Sequence, residues 1–95
     1  MNANTILTRN DELMSAPVDR EIVFLNQSTD SYVALDEVGR RIWDLLEQPR
    51  ALTDLIDLLC AEFAGSRETI TTDVVAFLRE LEDEGIVTVH DGGAG

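Results

Sequence analysis

The sequence predicts an α+β domain, winged helix-turn-helix-like, with a three-stranded antiparallel sheet followed by three helices. Three observations carry that reading. Up to Leu35 the chain alternates apolar and polar residues between turn-forming clusters, as strands do. From Asp36 onward its apolar residues recur at helical spacing, with capping and stopping residues around three segments. A chain of 95 residues has room for one core only, because at this size about 60–65% of the unfolded surface is buried. We therefore expect a single domain over residues 1–90 and a flexible tail at 91–95, where Asp91-Gly92-Gly93-Ala94-Gly95 cannot repay the entropy of being ordered.

Glu21-Ile22-Val23-Phe24-Leu25-Asn26 and Ser31-Tyr32-Val33-Ala34-Leu35 are β-branched and aromatic runs. The polar Gln27-Ser28-Thr29-Asp30 between them has the length of a hairpin connection. A further strand is expected earlier, within 5–9 or 13–16, and Pro17 confines it to an edge or a strand end because proline offers no ladder N–H. Alternation groups Val23, Leu25, Val33 and Leu35 on one face of the hairpin and Ile22, Phe24, Tyr32 and Ala34 on the other. Both faces are then apolar. Either the N-terminal segment or a curled sheet covers the second face, or Ile22 and Phe24 belong to a docking surface for a catalytic partner.

Asp36 is placed to cap a helix that buries Val38, Ile42, Leu45 and Leu46, with Trp43 at the flank and Pro49 as the stop. Thr53 is placed to cap a second helix lined by Leu52, Leu55, Ile56, Leu59 and Phe63, with Gly65 supplying a left-handed terminus. A third helix starts near Ser66 or Thr69 and runs to Glu84. Its core stripe is Ile70, Val74, Phe77, Leu78 and Leu81, and Gly85 ends it. Ile86-Val87-Thr88-Val89 then reads as a short terminal strand or an extended segment packed on the helices.

The charge balance excludes several classes of function. Seven basic residues, all arginine, face nineteen acidic ones, for a net charge of −12. Such a surface repels phosphate backbones and anionic lipid headgroups. No apolar stretch approaches the roughly 20 residues that span a bilayer. With one cysteine, Cys60, and no signal-like segment at 1–7, a cytoplasmic protein without an internal disulfide is expected. The helical region resembles a DNA reader in shape only. Its third helix sets Asp73, Glu80, Glu82, Asp83 and Glu84 against Arg79 alone, and would be expelled from a groove lined by phosphates.

No catalytic constellation is expected. His90 is the single histidine, beside the glycine-rich tail, and Cys60 lies close to an apolar stripe with no histidine or lysine to activate it. The carboxylates at 80–84 lack the alternating ligands and turn glycine of a calcium loop, so we expect no metal site, and no cofactor. Recognition by main chain and apolar pocket remains. If sheet order follows chain order, Ser31 to Leu35 forms an edge with neither proline nor lysine to blunt it. Such an edge can accept an extended peptide as an added strand.

At this point the residues resemble the PqqD-like family of peptide recognition elements. The resemblance lies in Tyr32-Val33-Ala34-Leu35-Asp36-Glu37-Val38-Gly39-Arg40-Arg41-Ile42-Trp43, in the following helix, and in Asp73-Val74-x-x-Phe77-Leu78-x-x-Leu81 followed by Gly85. It covers about 21–89. The stand-alone leader-binding subunits of split lasso peptide proteases look most similar within the family. The resemblance implies a fold that holds the leader of a ribosomally made precursor peptide between the third strand and the third helix. It implies presentation of that peptide to a separate leader-cleaving cysteine protease, with no catalytic residues in this chain. The alternative it leaves open is a chaperone delivering its peptide to a radical SAM or other modifying enzyme. Carried over by position, the peptide would pair with the main chains of Ser31, Tyr32, Val33, Ala34 and Leu35. On the helix, Thr71, Val75, Leu78, Arg79 and Glu82 form one flank and Phe77 and Glu80 the other. The Val75 flank is expected to line the groove because it extends the apolar stripe outward.

Overall fold

Two small antiparallel sheets, rather than one, are set against three helices. The computed structural model describes residues 1–26 and 30–90. The hairpin connection at 27–29 and the tail expected at 91–95 lie outside the described residues. Both candidate positions for the early strand are occupied: β1 is Ile6–Arg9 and β2 is Met14–Val18. The predicted hairpin follows as β3, Glu21–Asn26, and β4, Ser31–Leu35. Then come α1 (Glu37–Leu45), the two-residue β5 (Arg50–Ala51), α2 (Leu52–Glu62), α3 (Arg67–Asp83) and β6 (Val87–His90).

One sheet has the order β2-β3-β4, the other β5-β1-β6. The three-stranded sheet of the sequence reading is thus the first of two. Pro17 falls on β2, an outer strand, where a missing N–H breaks no ladder. Strand β1 pairs instead with the C-terminal strand, Ile6 opposite His90 and Arg9 opposite Val87, and with β5 on its other side. Two residues carry no readable alternation, which is why β5 escapes sequence analysis. The β2–β3 link is tight, with Val18 opposite Glu21 and Asp19 at φ 55°. Aspartate tolerates this left-handed conformation better than most side chains. Arg40 holds the turn by donating to the carbonyls of Asp19 and Glu21 at 3.1 and 3.2 Å.

The expected cap of α1 is present: Gly39 N–H donates to Asp36 Oδ1 at 2.9 Å. The helix is rotated from the expected phase, so Trp43 is buried while Val38 is 43% exposed. Thr53 does not cap α2. Ala51 occupies the N-cap without a side-chain bond, and the Thr53 hydroxyl donates to the Ala3 carbonyl at 3.1 Å, tying the N-terminal segment to α2. Nor is Gly65 a left-handed helix terminus. α2 ends at an extended Phe63, and Gly65 lies beyond it at φ 138°. Ser66 caps α3 through Thr69 N–H at 3.1 Å.

The C-terminus of α3 closes in a Schellman motif. Gly85, at φ 73°, donates to Glu82 O at 3.0 Å and Ile86 donates to Leu81 O at 2.9 Å, while the Leu81 and Ile86 side chains are both buried. A Cβ at Gly85 would meet nothing within 4 Å, so Gly85→Ala isolates the backbone cost. That variant is expected to lose about 1 kcal/mol of stability in urea denaturation, because an L side chain resists the left-handed region. A loss well below this would mean that the α3–β6 link relaxes to another turn.

The core runs through both sheets and all three helices, with Leu7, Phe24, Ile42, Leu55, Leu59, Leu78 and Ile86 almost fully enclosed. Phe24 meets Trp43 edge-on with centroids 4.6 Å apart. The Arg9 guanidinium stacks on the same indole at 4.6 Å, donates to Trp43 O at 3.1 Å and pairs with Asp11 at 2.7 Å. This column welds β1, β3 and α1 together. None of the helices among the described residues is long and apolar enough to cross a membrane.

Candidate functional site

The register of the hairpin decides which side chains are available to a ligand. Ile22 pairs with Leu35, Phe24 with Val33, and Leu25 with Tyr32. Directly opposed residues share a face, so Ile22, Phe24, Val33 and Leu35 point one way and Val23, Leu25, Tyr32 and Ala34 the other. The grouping expected from sequence mixed the two. The connection from Asn26 to Ser31 contains an even number of residues, and an even connection brings residues of opposite parity into register. Ile22 and Phe24 are accordingly 7% and 1% exposed, inside the core, and form no docking surface. On the outer face Tyr32 is 74% exposed, beside Met14, Val23 and Leu25.

Strand β4 is an outer strand of its sheet, as expected if sheet order followed chain order. Beside it runs α3, and two cavities lie along the junction. One, of about 310 Å³, is lined by Val33, Ala34 and Leu35 of β4 and by Phe77, Glu80, Leu81, Asp83 and Glu84. The other, of about 380 Å³, lies between the end of β4, the first turns of α1 and the middle of α3. Its walls are Ala34, Val38, Gly39, Ile42, Val74 and Phe77, with Glu21, Asp36 and Asp73 at the margin. The cavities share Ala34 and Phe77, so together they form one groove with an apolar floor.

The helix side of this groove is the flank opposite to the expected one. At about 100° per residue, Phe77, Glu80 and Glu84 lie roughly 140–200° around α3 from Val75. Thr71 and Val75 are half-buried and Arg79 and Glu82 exposed, and none of them lines either cavity. Leu78 is fully enclosed and serves the core. The sequence signal for the flank that faces β4 and α1 is Gly39, a glycine inside an amphipathic helix. A Cβ there would stand 2.7 Å from Phe77 Cζ and 3.1 Å from Leu35 Cβ. The missing side chain lets the Phe77 ring lie across α1 against β4.

A charged concavity of about 450 Å³ lies apart from this groove, lined by residues including Arg20, Arg40, Arg41, Asp44 and Glu62. There Arg41 grips Glu62 with two bonds of 2.7 and 3.0 Å. The hydrogen bond from the guanidinium holds the Glu62 carboxyl below its ordinary range, and the same bond raises Arg41. These groups join α1 to the end of α2. His90 is exposed with Nε2 3.2 Å from Thr8 Oγ1, and Cys60 is half-buried. Among the described residues no cluster of histidine, cysteine and carboxylate side chains is arranged to hold a metal ion.

The family model described as coenzyme PQQ synthesis protein D (PqqD) matches residues 21–87. A PqqA binding protein of Bradyrhizobium diazoefficiens is 35% identical over 66 residues, which cover 70% of this chain and 64% of that protein. The chain thus matches slightly less than two thirds of the length of that relative. A PqqA binding protein of Gluconobacter oxydans is 29% identical over 65 residues, 68% of each chain. Among solved structures, TbiB1 in complex with the TbiA(beta) leader peptide superposes with a TM-score of 0.73 at 36% identity, covering 93% of this chain and 99% of that one. Lasso peptide synthetase B1 complexed with the leader peptide gives a TM-score of 0.73 at 21% identity over 86% and 96% of the two chains, a likeness of fold. The matched span of the family model begins at β3 and takes in β4, all three helices and the start of β6, and by that match the chain belongs to the PqqD family.

Proposed function

We propose that this chain binds the leader segment of a ribosomally made precursor peptide as a strand added to β4, and presents it to a separate leader-cleaving cysteine protease of lasso peptide biosynthesis. The observation that carries the proposal is the outer strand β4 standing over an apolar-floored groove. The main chains of Ser31, Tyr32, Val33, Ala34 and Leu35 would supply the ladder, and the cavity walled by Val38, Ile42, Val74 and Phe77 would take an apolar side chain of the peptide. In this reading the chain is a non-catalytic, cytoplasmic subunit that requires no cofactor. Its similarity to TbiB1, a protein solved with a leader peptide bound, over nearly the full length of both chains supports the leader-binding step. The identity to PqqA binding proteins favours the alternative, delivery of a precursor peptide to a radical SAM or other modifying enzyme. Both share the same first step.

Calorimetric titration with synthetic leader and core halves of the precursor peptide encoded beside the gene tests that step. Saturable one-to-one binding of the leader half, and none of the core half, is the expected result. Binding of the core half alone would overturn it.

A further inference from the structure

We infer that the groove selects a cationic strand, one that carries Lys or Arg on both sides of the apolar residue seated beside Phe77. The inference rests on the strand-addition reading and adds the chemistry of the peptide. Six carboxylate residues line the two cavities, Glu21, Asp36 and Asp73 on one and Glu80, Asp83 and Glu84 on the other, and neither lining includes an arginine or histidine.

An acidic protein exposes many carboxylates, so what matters is how these differ from the rest. The chain contains no lysine, and six of its seven arginines are committed elsewhere. Arg20 pairs with Glu37, Arg41 with Glu62 and Arg67 with Asp57. Arg9 is held by Asp11 and Trp43, Arg40 by the β2–β3 turn, and Arg50 by the Leu45 carbonyl. Arg79 lines neither cavity. Glu21, Asp36, Asp73, Glu80 and Asp83 accordingly enter no ion pair among the described residues. Asp36 accepts the Gly39 N–H as a helix cap, and its second carboxylate oxygen is not used in that bond. These like charges flank an apolar floor, where an arriving peptide excludes water and strengthens every electrostatic contact. A neutral or acidic strand would leave them desolvated without a counterion. A cationic strand neutralises them and is drawn in by the field of a protein whose net charge is −12.

Spacing sharpens the inference. Along the axis of α3, Asp73 lies about 6 Å to one side of Phe77 and Glu80 about 4.5 Å to the other, at 1.5 Å per residue. Same-face side chains of a β-strand recur every 6.8 Å or so. The geometry therefore calls for cations two residues before and two residues after the apolar anchor.

Selection from a displayed library of short random peptides, captured on the immobilised protein, tests this. Captured sequences are expected to be enriched in Lys and Arg at those two positions. The Asp73→Asn, Glu80→Gln, Asp83→Asn triple variant should lose the enrichment and bind a captured cationic peptide about tenfold more weakly. A Glu47→Gln, Asp54→Asn control, neutralised outside the groove, should keep both. Equal cation content in pools from wild type and triple variant would overturn the inference, as would an equal loss in the control, which would reduce the effect to net charge. Capture on proline variants of β4 separates this from the underlying reading. If those variants still capture the cationic pool, strand addition itself fails. If they lose capture but the wild-type pool is not cationic, strand addition stands and the charge assignment falls.

Discussion

Replacing Phe24 by alanine lowers the unfolding free energy by about 3–5 kcal/mol, the usual range for emptying a large aromatic site in a core. Phe24 is 1% exposed, stacks edge-on against Trp43 and stands opposite Val33 on β4. Its removal strips the indole of its aromatic partner and leaves a void where β3 packs on α1. Urea denaturation followed by Trp43 emission measures the loss directly, since this single tryptophan is 7% exposed and reports the core rather than the groove. Native proteins of this size hold only about 5–15 kcal/mol in reserve, so the variant stands close to unfolding at ordinary temperature. A loss below about 1 kcal/mol would mean that the side chain sits at a surface after all.

Proline in β4 is expected to weaken binding of the leader half at least tenfold, through one lost ladder bond and the strand geometry that bond maintained. Two variants are needed, Val33→Pro and Ala34→Pro. Backbone N–H groups alternate in direction along a strand, so one of the pair points at the incoming peptide and the other at β3. The variant that strikes the outer edge loses binding with its far-ultraviolet circular dichroism and melting transition intact. The variant that strikes the β3 ladder loses stability first. Unchanged titrations for both, with folded protein, would remove the peptide from β4.

Much of this arrangement was legible before any coordinates. The hairpin, the three helices, two of the four residues placed as caps or glycine terminators (Asp36 and Gly85, but not Thr53 or Gly65), and Ser66 as one of two candidate starts of α3 follow from residue type and spacing alone. The errors have local causes. Thr53 looked like a cap, but its hydroxyl is spent on Ala3, a partner fifty positions away that no local rule can see. Ile22 and Phe24 fall with Tyr32 and Ala34, on a face left open between cover and docking, when the parity of the four-residue connection is not carried into the pairing, although the connection itself is legible in the sequence. The flank of α3 depends on where β4 and α1 come to rest. Gly39 held that information, since a side chain at that position would collide with Phe77. Pairing of β1 with β6 spans nearly the whole chain and leaves no local trace.

That last pairing has a practical consequence. Ile6 stands opposite His90, so both ends of the domain emerge from neighbouring strands of the sheet that does not carry the groove. A tether, fluorophore or fused enzyme can therefore be attached at either end without crossing β4. The same adjacency makes the domain a natural substrate for circular permutation, with a short linker joining the old ends. A recognition module wired in this way can be inserted into another polypeptide or bolted onto its terminus and still offer its peptide-reading edge to solvent.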